Sequence, residues 1–74
     1  MYDRLLERIE QKSDVLNRKI GRKGKLKVIA VNGETGVNSN TNVLSINKNL
    51  LSQWQTGEIS DIDIDGTLAH ELVT

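Results

Sequence analysis

The 74-residue sequence has no cysteine and only two aromatic residues, Tyr2 and Trp54. Without cysteine, neither a disulfide bond nor a thiolate-ligated zinc site can stabilise the fold. With so few aromatic rings, the core has to be built from leucine, isoleucine and valine. A single core in a chain of this length gives about 3–5 kcal/mol of net stability. We therefore expect residues 1–74 to form one small domain.

The sequence also lacks a long apolar run and an N-terminal signal peptide. No apolar run approaches the roughly 20 residues of a membrane-spanning helix, so no membrane partner is expected, and a cytoplasmic location is the default prediction. There is one histidine and neither a G-x-S-x-G motif nor a glycine-rich phosphate loop. These absences argue against nucleophilic catalysis and nucleotide binding.

The net charge is zero, but the charges are unevenly distributed. Nine of the ten Lys and Arg residues fall within residues 1–27, and acidic residues gather within 58–71. Cations at the end of a helix complement its dipole, so we interpret the basic run as a solvated helix end and loop. Because the run has no interleaved aromatics and no known binding motif, no nucleic-acid partner is predicted. The run comprises Arg18, Lys19, Arg22, Lys23, Lys25 and Lys27.

The first half of the chain predicts a helix followed by a strand. Apolar residues between Tyr2 and Ile20 recur at helical spacing, which predicts an amphipathic helix that Gly21 ends. The segment from Lys25 to Val31 alternates and then becomes continuously apolar, as a strand does. The dipeptide at residues 32–33, Asn-Gly, favours a tight turn with positive φ.

The second half predicts a loop or edge strand, a strand and two helices. Residues 34–42 are too polar for a buried strand and predict a loop or an exposed edge strand. Residues 43–46 predict a short strand. Asn47 is a natural N-cap for a helix that closes near residues 56–57. Ser60 and the acid three residues later form the capping pattern of a last helix. The order predicts an α+β domain with a small mixed sheet.

The last helix was expected to lie against the sheet through one narrow face. The residues of this face are spaced four, three and four positions apart in the sequence, which is helical spacing. They are Ile62, Gly66, Ala69 and Val73.

The last five residues, His70-Glu71-Leu72-Val73-Thr74, match the H-E-x-x-H helix signature of zinc peptidases except at the final position. In the complete signature, two histidines four residues apart lie on one helix face and bind one zinc ion, and the glutamate activates the zinc-bound water.

With the A-H-E-L sequence that begins at Ala69 and the order of elements, the chain resembles the N-terminal subdomain of gluzincin zinc peptidases, the minigluzincins and their HtpX-like relatives. The resemblance covers essentially the whole chain. It corresponds to the front part of the family domain, as far as the active-site helix.

The resemblance implies a function and a set of site residues. His70 would be the first zinc ligand and Glu71 the general base and acid of peptide hydrolysis. The family's substrate-binding edge strand would correspond to Asn38, Ser39, Asn40 and Thr41. Thr74 stands where the second histidine belongs, and the family's third ligand, a glutamate, has no counterpart. The intact family domain holds zinc, whereas this chain is expected neither to bind zinc stably nor to be active.

Two other readings compete with the peptidase. Residues 61–66 match the D-x-D-x-D-G opening of an EF-hand calcium loop over 61–72, although Leu72 occupies the position of the bidentate glutamate. Such a loop would keep residues 61–66 non-helical. Alternatively, an exposed polar edge makes the chain a non-enzymatic module that recruits peptide or dimerises with a second copy.

Overall fold

A computed structural model describes residues 2–73 and confirms the α+β class. A long helix comes first, three short strands form a mixed sheet, and two helices follow. The boundaries agree with the predicted order, although the first strand begins two residues later than expected. The elements are α1 (Asp3–Ile20), β1 (Lys27–Val31), β2 (Gly36–Asn38), β3 (Val43–Asn47), α2 (Lys48–Thr56) and α3 (Asp61–Val73).

The helix α1 ends where the sequence predicts. Gly21 takes a left-handed conformation with φ of 73°, and its N–H and the next one return to the last carbonyls of the helix. Glycine adopts this conformation without the steric cost of a Cβ. The row of α1 that packs inward carries Ile9, Ser13 and Asn17, so two of its three buried residues are polar.

The sheet has the order β1-β3-β2, with β1 parallel and β2 antiparallel to β3. The link between β1 and β2 therefore passes the end of β3, where it accepts hydrogen bonds from Asn47. The Asn47 side-chain amide donates to the carbonyl of Gly33 at 2.7 Å, and its backbone N–H donates to Thr35 Oγ1 at 3.0 Å. The predicted tight turn at residues 32–33 was wrong, because Gly33 does not have a positive φ.

All three helices lie on one side of the sheet. Val28 opposes Leu44 in the β1–β3 register, and both side chains are buried under the helices. Because side chains alternate along a strand, Ile29 and Ser45 point to the other face, where they are half-exposed. The core consists of Ile9, Leu26, Val28, Leu44, Ile46, Leu51, Trp54, Ile64, Leu68 and Leu72.

The helix α2 follows β3 directly because Asn47 also serves as its N-cap. The Asn47 Oδ1 atom accepts the N–H of Asn49 at 2.8 Å, which satisfies a donor that the helix start would leave unpaired. Gly57 closes the helix in a left-handed conformation with φ of 83°. Both boundaries agree with the sequence prediction.

The predicted inner face of α3 was wrong. Ile62 is 80% exposed and Val73 is 67% exposed, so neither lies against the sheet. The buried row is instead Ile64, Leu68 and Leu72, spaced four residues apart. Both rows have helical spacing, so periodicity alone could not choose between them. No helix within residues 2–73 has the length and apolar character needed to cross a bilayer.

Candidate functional site

The start of α3 is fixed by a reciprocal capping box. The Ser60 N–H donates to Asp63 Oδ2 at 2.9 Å, and the Asp63 N–H donates to Ser60 Oγ at 3.2 Å. Each residue thereby satisfies a backbone donor that has no helical partner. The capping pattern predicted from the sequence is confirmed, and the helix begins at Asp61.

A three-residue cluster joins the start of α3 to α1 and α2. The Trp54 indole N–H donates to Asp61 Oδ1 at 2.7 Å, and Arg8 Nη2 donates to Asp61 Oδ2 at 2.8 Å. The Arg8 guanidinium also stacks over the Trp54 ring, 4.6 Å from its centroid. The Trp54 hydrogen bond, assisted by the positive charge of Arg8, lowers the pKa of the Asp61 carboxyl below its usual range.

One turn later, a second ion pair repeats the contact between α1 and α3. Lys12 Nζ lies 2.8 Å from Asp65 Oδ1. The spacing of Arg8 and Lys12 matches that of Asp61 and Asp65, so the two helices run side by side in the same direction. The rotation of α3 about its axis is set by its buried row, and these pairs lie where that rotation places them.

The EF-hand reading does not fit this conformation. Residues 61–66 are helical, whereas a calcium loop would wrap around the cation. The three aspartates also serve different partners: Asp61 accepts from Trp54 and Arg8, Asp63 caps the helix, and Asp65 pairs with Lys12.

The His70-Glu71 pair lies near the end of α3, beside the sheet edge. His70 is exposed, and Glu71 is half-buried. Glu71 Oε2 lies 3.9 Å from the position that a Cβ on Gly36 would occupy. Because β2 pairs only with β3, Gly36 belongs to an edge strand. The structure thus places Glu71 beside this edge.

The edge strand itself is displaced from the predicted segment. Strand β2 covers Gly36–Asn38, so Asn38 is its last residue, and Ser39, Asn40 and Thr41 lie in the turn that leads to β3. The Asn40 N–H donates to Asn38 Oδ1 at 3.0 Å, a local bond that favours a turn over a strand.

A shallow cavity of about 290 Å³ runs along the edge strand. Backbone and side-chain atoms of β2 and the preceding link form most of its wall. Its lining residues are Glu34, Thr35, Gly36, Val37, Asn38 and Ser45. The sequence did not single out Gly36 or Glu34, although a glycine within a polar segment is a signal for close approach of another group.

The described residues do not by themselves fit a zinc site. A catalytic zinc ion needs three protein ligands, and no group of three or more His, Cys, Asp or Glu side chains within residues 2–73 is arranged to hold a metal. His70 is the one histidine of the sequence. Thr74, at the position of the second histidine, lies outside the described residues.

Comparisons of the chain with protein-family models, curated proteins and solved structures give no match. The gluzincin resemblance therefore rests on the terminal motif and the order of elements.

Proposed function

We propose that this chain forms the peptide-binding edge and the first part of the metal-binding helix of a gluzincin-type zinc metallopeptidase. The observation that supports the proposal is the position of Glu71, whose Oε2 atom lies 3.9 Å from a Cβ position on Gly36 of the edge strand. Glu71 of the residue pair that resembles the peptidase motif is therefore beside the strand on which an extended peptide would add.

Peptide addition to β2 follows from the geometry of the sheet. An edge strand presents unpaired backbone groups that an extended peptide can satisfy by main-chain hydrogen bonds. A peptide in the cavity along Gly36–Asn38 would pass close to the last turns of α3. Because β2 has three residues, the main-chain bonds are few, and the affinity of the edge alone is expected to be weak.

In the proposed domain His70 is the first zinc ligand and Glu71 is the acid–base residue next to the bound peptide. The described residues supply one ligand of the three that a catalytic zinc ion needs. The remaining ligands would have to come from other residues. We accordingly expect little zinc binding and no hydrolysis by residues 1–74 alone.

The peptide-binding part of the proposal can be tested on the 74-residue chain by NMR. A capped hexapeptide of alternating valine and threonine, titrated into the ¹⁵N-labelled protein, should shift the amides of residues 36–38 and of Glu71 saturably. The control is the same peptide with alternate amides N-methylated, which cannot donate strand hydrogen bonds and should give no such shifts. Saturable shifts confined to β1, the opposite edge, would contradict the proposal.

The zinc part requires a form of the protein that continues past residue 74. We expect this form to contain one equivalent of zinc by elemental analysis and the 74-residue chain to contain far less. His70→Ala should abolish the zinc, whereas Glu71→Gln should keep the zinc and abolish peptide hydrolysis. Glu58→Gln, which changes an exposed acid between α2 and α3, is the matched control. A folded, zinc-free longer form would refute the peptidase assignment.

A second candidate is a non-enzymatic module that pairs with another copy of itself. The observation that favours it is the outer face of the sheet, where Ile29 is 36% exposed and Val31 and Val43 are half-buried. Two copies joined at β2 would extend this apolar face across one continuous sheet. Light scattering after size-exclusion chromatography distinguishes the two, because this candidate requires a dimer at high protein concentration.

A further inference from the structure

The cations of the first 27 residues divide into two groups in the structure. Arg8 and Lys12 are neutralised by Asp61 and Asp65 of α3, at 2.8 Å each. Within residues 2–73, the cations between Asn17 and Val28 make no ion pair with α3. They form what we call the cationic end: Arg18, Lys19, Arg22, Lys23, Lys25 and Lys27.

Only one member of the cationic end makes an ion pair with the part of the chain that the structure describes. Lys25 Nζ lies 3.2 Å from Glu10, and both side chains are solvent-accessible. Exposed pairs of this kind contribute little and exchange readily with other anions. The six cations of this group lie near two acids, Glu10 and Asp14, so a local excess of positive charge remains although the whole chain is neutral.

The fold directs two of these cations outward. Leu26 is 2% exposed and Val28 is 8% exposed, so both point into the core. Alternation along the extended chain then directs Lys25 and Lys27 outward together. The position of these two lysines is thus fixed by the buried residues between and after them.

A cavity of about 420 Å³ lies within the cationic end. Asn17 lines it, is only 4% exposed, and donates to the carbonyl of Gly24 at 3.5 Å, while its Oδ1 has no hydrogen-bond partner among residues 2–73. Cations around a concave surface raise the local concentration of anions. The complete lining is Asp14, Asn17, Arg18, Arg22, Gly24 and Lys25.

The polar turn between β2 and β3 lies directly beside the cationic end. The Lys27 N–H donates to the carbonyl of Asn42 at 2.9 Å, and the Asn42 side chain lies 3.1 Å from a Cβ position on Gly24. The turn therefore adds amide and hydroxyl groups to the cations. Phosphate and sugar oxygens in nucleic-acid complexes are bound by this combination of groups.

We propose that the cationic end binds the phosphate backbone of a nucleic-acid duplex. Single strands are held largely by stacking on aromatic rings, and membrane-binding surfaces insert aromatic and several large apolar side chains, whereas Ile20 is the one large apolar side chain exposed among these cations. The two aromatic residues, Tyr2 and Trp54, belong to the start of α1 and to the core, not to this surface. The sequence alone predicted no nucleic-acid partner, because the basic run has no interleaved aromatics and no known binding motif.

Fluorescence anisotropy with a labelled 20-base-pair DNA duplex tests the proposal on the full chain. Binding should weaken as salt rises from 50 to 200 mM, with a slope of log K against log salt between about −2 and −5. Lys23→Gln combined with Lys27→Gln should raise the Kd at least about tenfold at low salt and reduce the slope by about 1.8, since each lost phosphate contact removes about 0.9.

The matched control is Arg4→Gln combined with Lys48→Gln, which removes the same net charge from exposed positions outside the cationic end. Its Kd should stay within about twofold of the unmodified chain, because only local contacts set the slope. Equal weakening by both double variants would overturn the assignment of the surface. Tighter binding to the separated single strand, or to vesicles containing anionic lipid, would overturn the assignment of a duplex partner.

Discussion

Replacing Leu68 by alanine tests the rotation of α3, on which the position of the His70-Glu71 pair depends. Leu68 is 1% exposed and lies in the middle of the buried row of α3. Removing a buried leucine side chain costs about 2.7–5.0 kcal/mol, from lost apolar burial and the cavity left behind. A domain of this size has only about 3–5 kcal/mol to lose. We therefore expect Leu68→Ala to be largely unfolded without denaturant.

Urea denaturation followed by the fluorescence of Trp54 measures the effect, because this buried indole becomes solvated on unfolding. Ile62→Ala is the control: it makes a comparable truncation on the same helix at a side chain that is 80% exposed. Its free energy of unfolding should change by less than about 0.5 kcal/mol. Ile64→Val should lower the free energy of unfolding by about 0.5–1.5 kcal/mol. This smaller loss leaves the protein folded, so the buried row can be tested even if Leu68→Ala unfolds. A larger loss from Ile62→Ala than from Ile64→Val would refute the structural rotation of α3.

Three other predictions concern local features of the fold. Gly66→Ala should raise the free energy of unfolding by about 0.5–1 kcal/mol, because Gly66 is exposed within α3 and a Cβ there meets nothing within 4 Å. Gly57→Ala should lower it by about 1–2 kcal/mol in the same urea assay, because Gly57 has a φ of 83°. Asn47→Ala should lower the melting temperature by several degrees, because the loss of an N-cap costs about 0.5–2 kcal/mol; an unchanged melting temperature would contradict the role of the Asn47 bonds. The pKa of Asp61 is lowered in the folded state, so its carboxylate adds to the free energy of unfolding above the unfolded-state pKa. This stabilisation is lost as the pH falls below about 4. In thermal melts from pH 6 to pH 2.5, the melting temperature of Asp61→Asn should therefore depend less on acid than that of the unmodified chain.

Local signals in the sequence predicted most of the fold. The helix ends at Gly21 and Gly57, the N-cap at Asn47 and the capping box at Ser60 each depend on residues within one turn of the feature they control. Such features can be read from a few consecutive residues. The class of the domain and the order of its elements follow from them.

The errors concern features that depend on distant residues. The link after β1 was predicted as a tight turn. In the sheet order β1-β3-β2 it instead runs past the end of β3, where the Asn47 side chain donates to the carbonyl of Gly33, 14 residues earlier in the sequence. Strand β2 was placed too late in the chain because its position depends on pairing with β3. The pairing of Arg8 with Asp61 spans 53 positions and left no signal in either local segment.

The same long-range contacts determine which residue of the terminal motif faces the sheet. Successive residues of a helix are about 100° apart, so the burial of Leu72 places His70 about 200° away, on the far side, and Glu71 about 100° away, on the flank. This agrees with an exposed histidine and a half-buried glutamate beside Gly36. If the face predicted from Ile62 and Val73 were inward instead, the helix would be turned by about 130°, and Glu71 would point elsewhere. The burial of Ile64, Leu68 and Leu72 therefore places Glu71 at the edge strand.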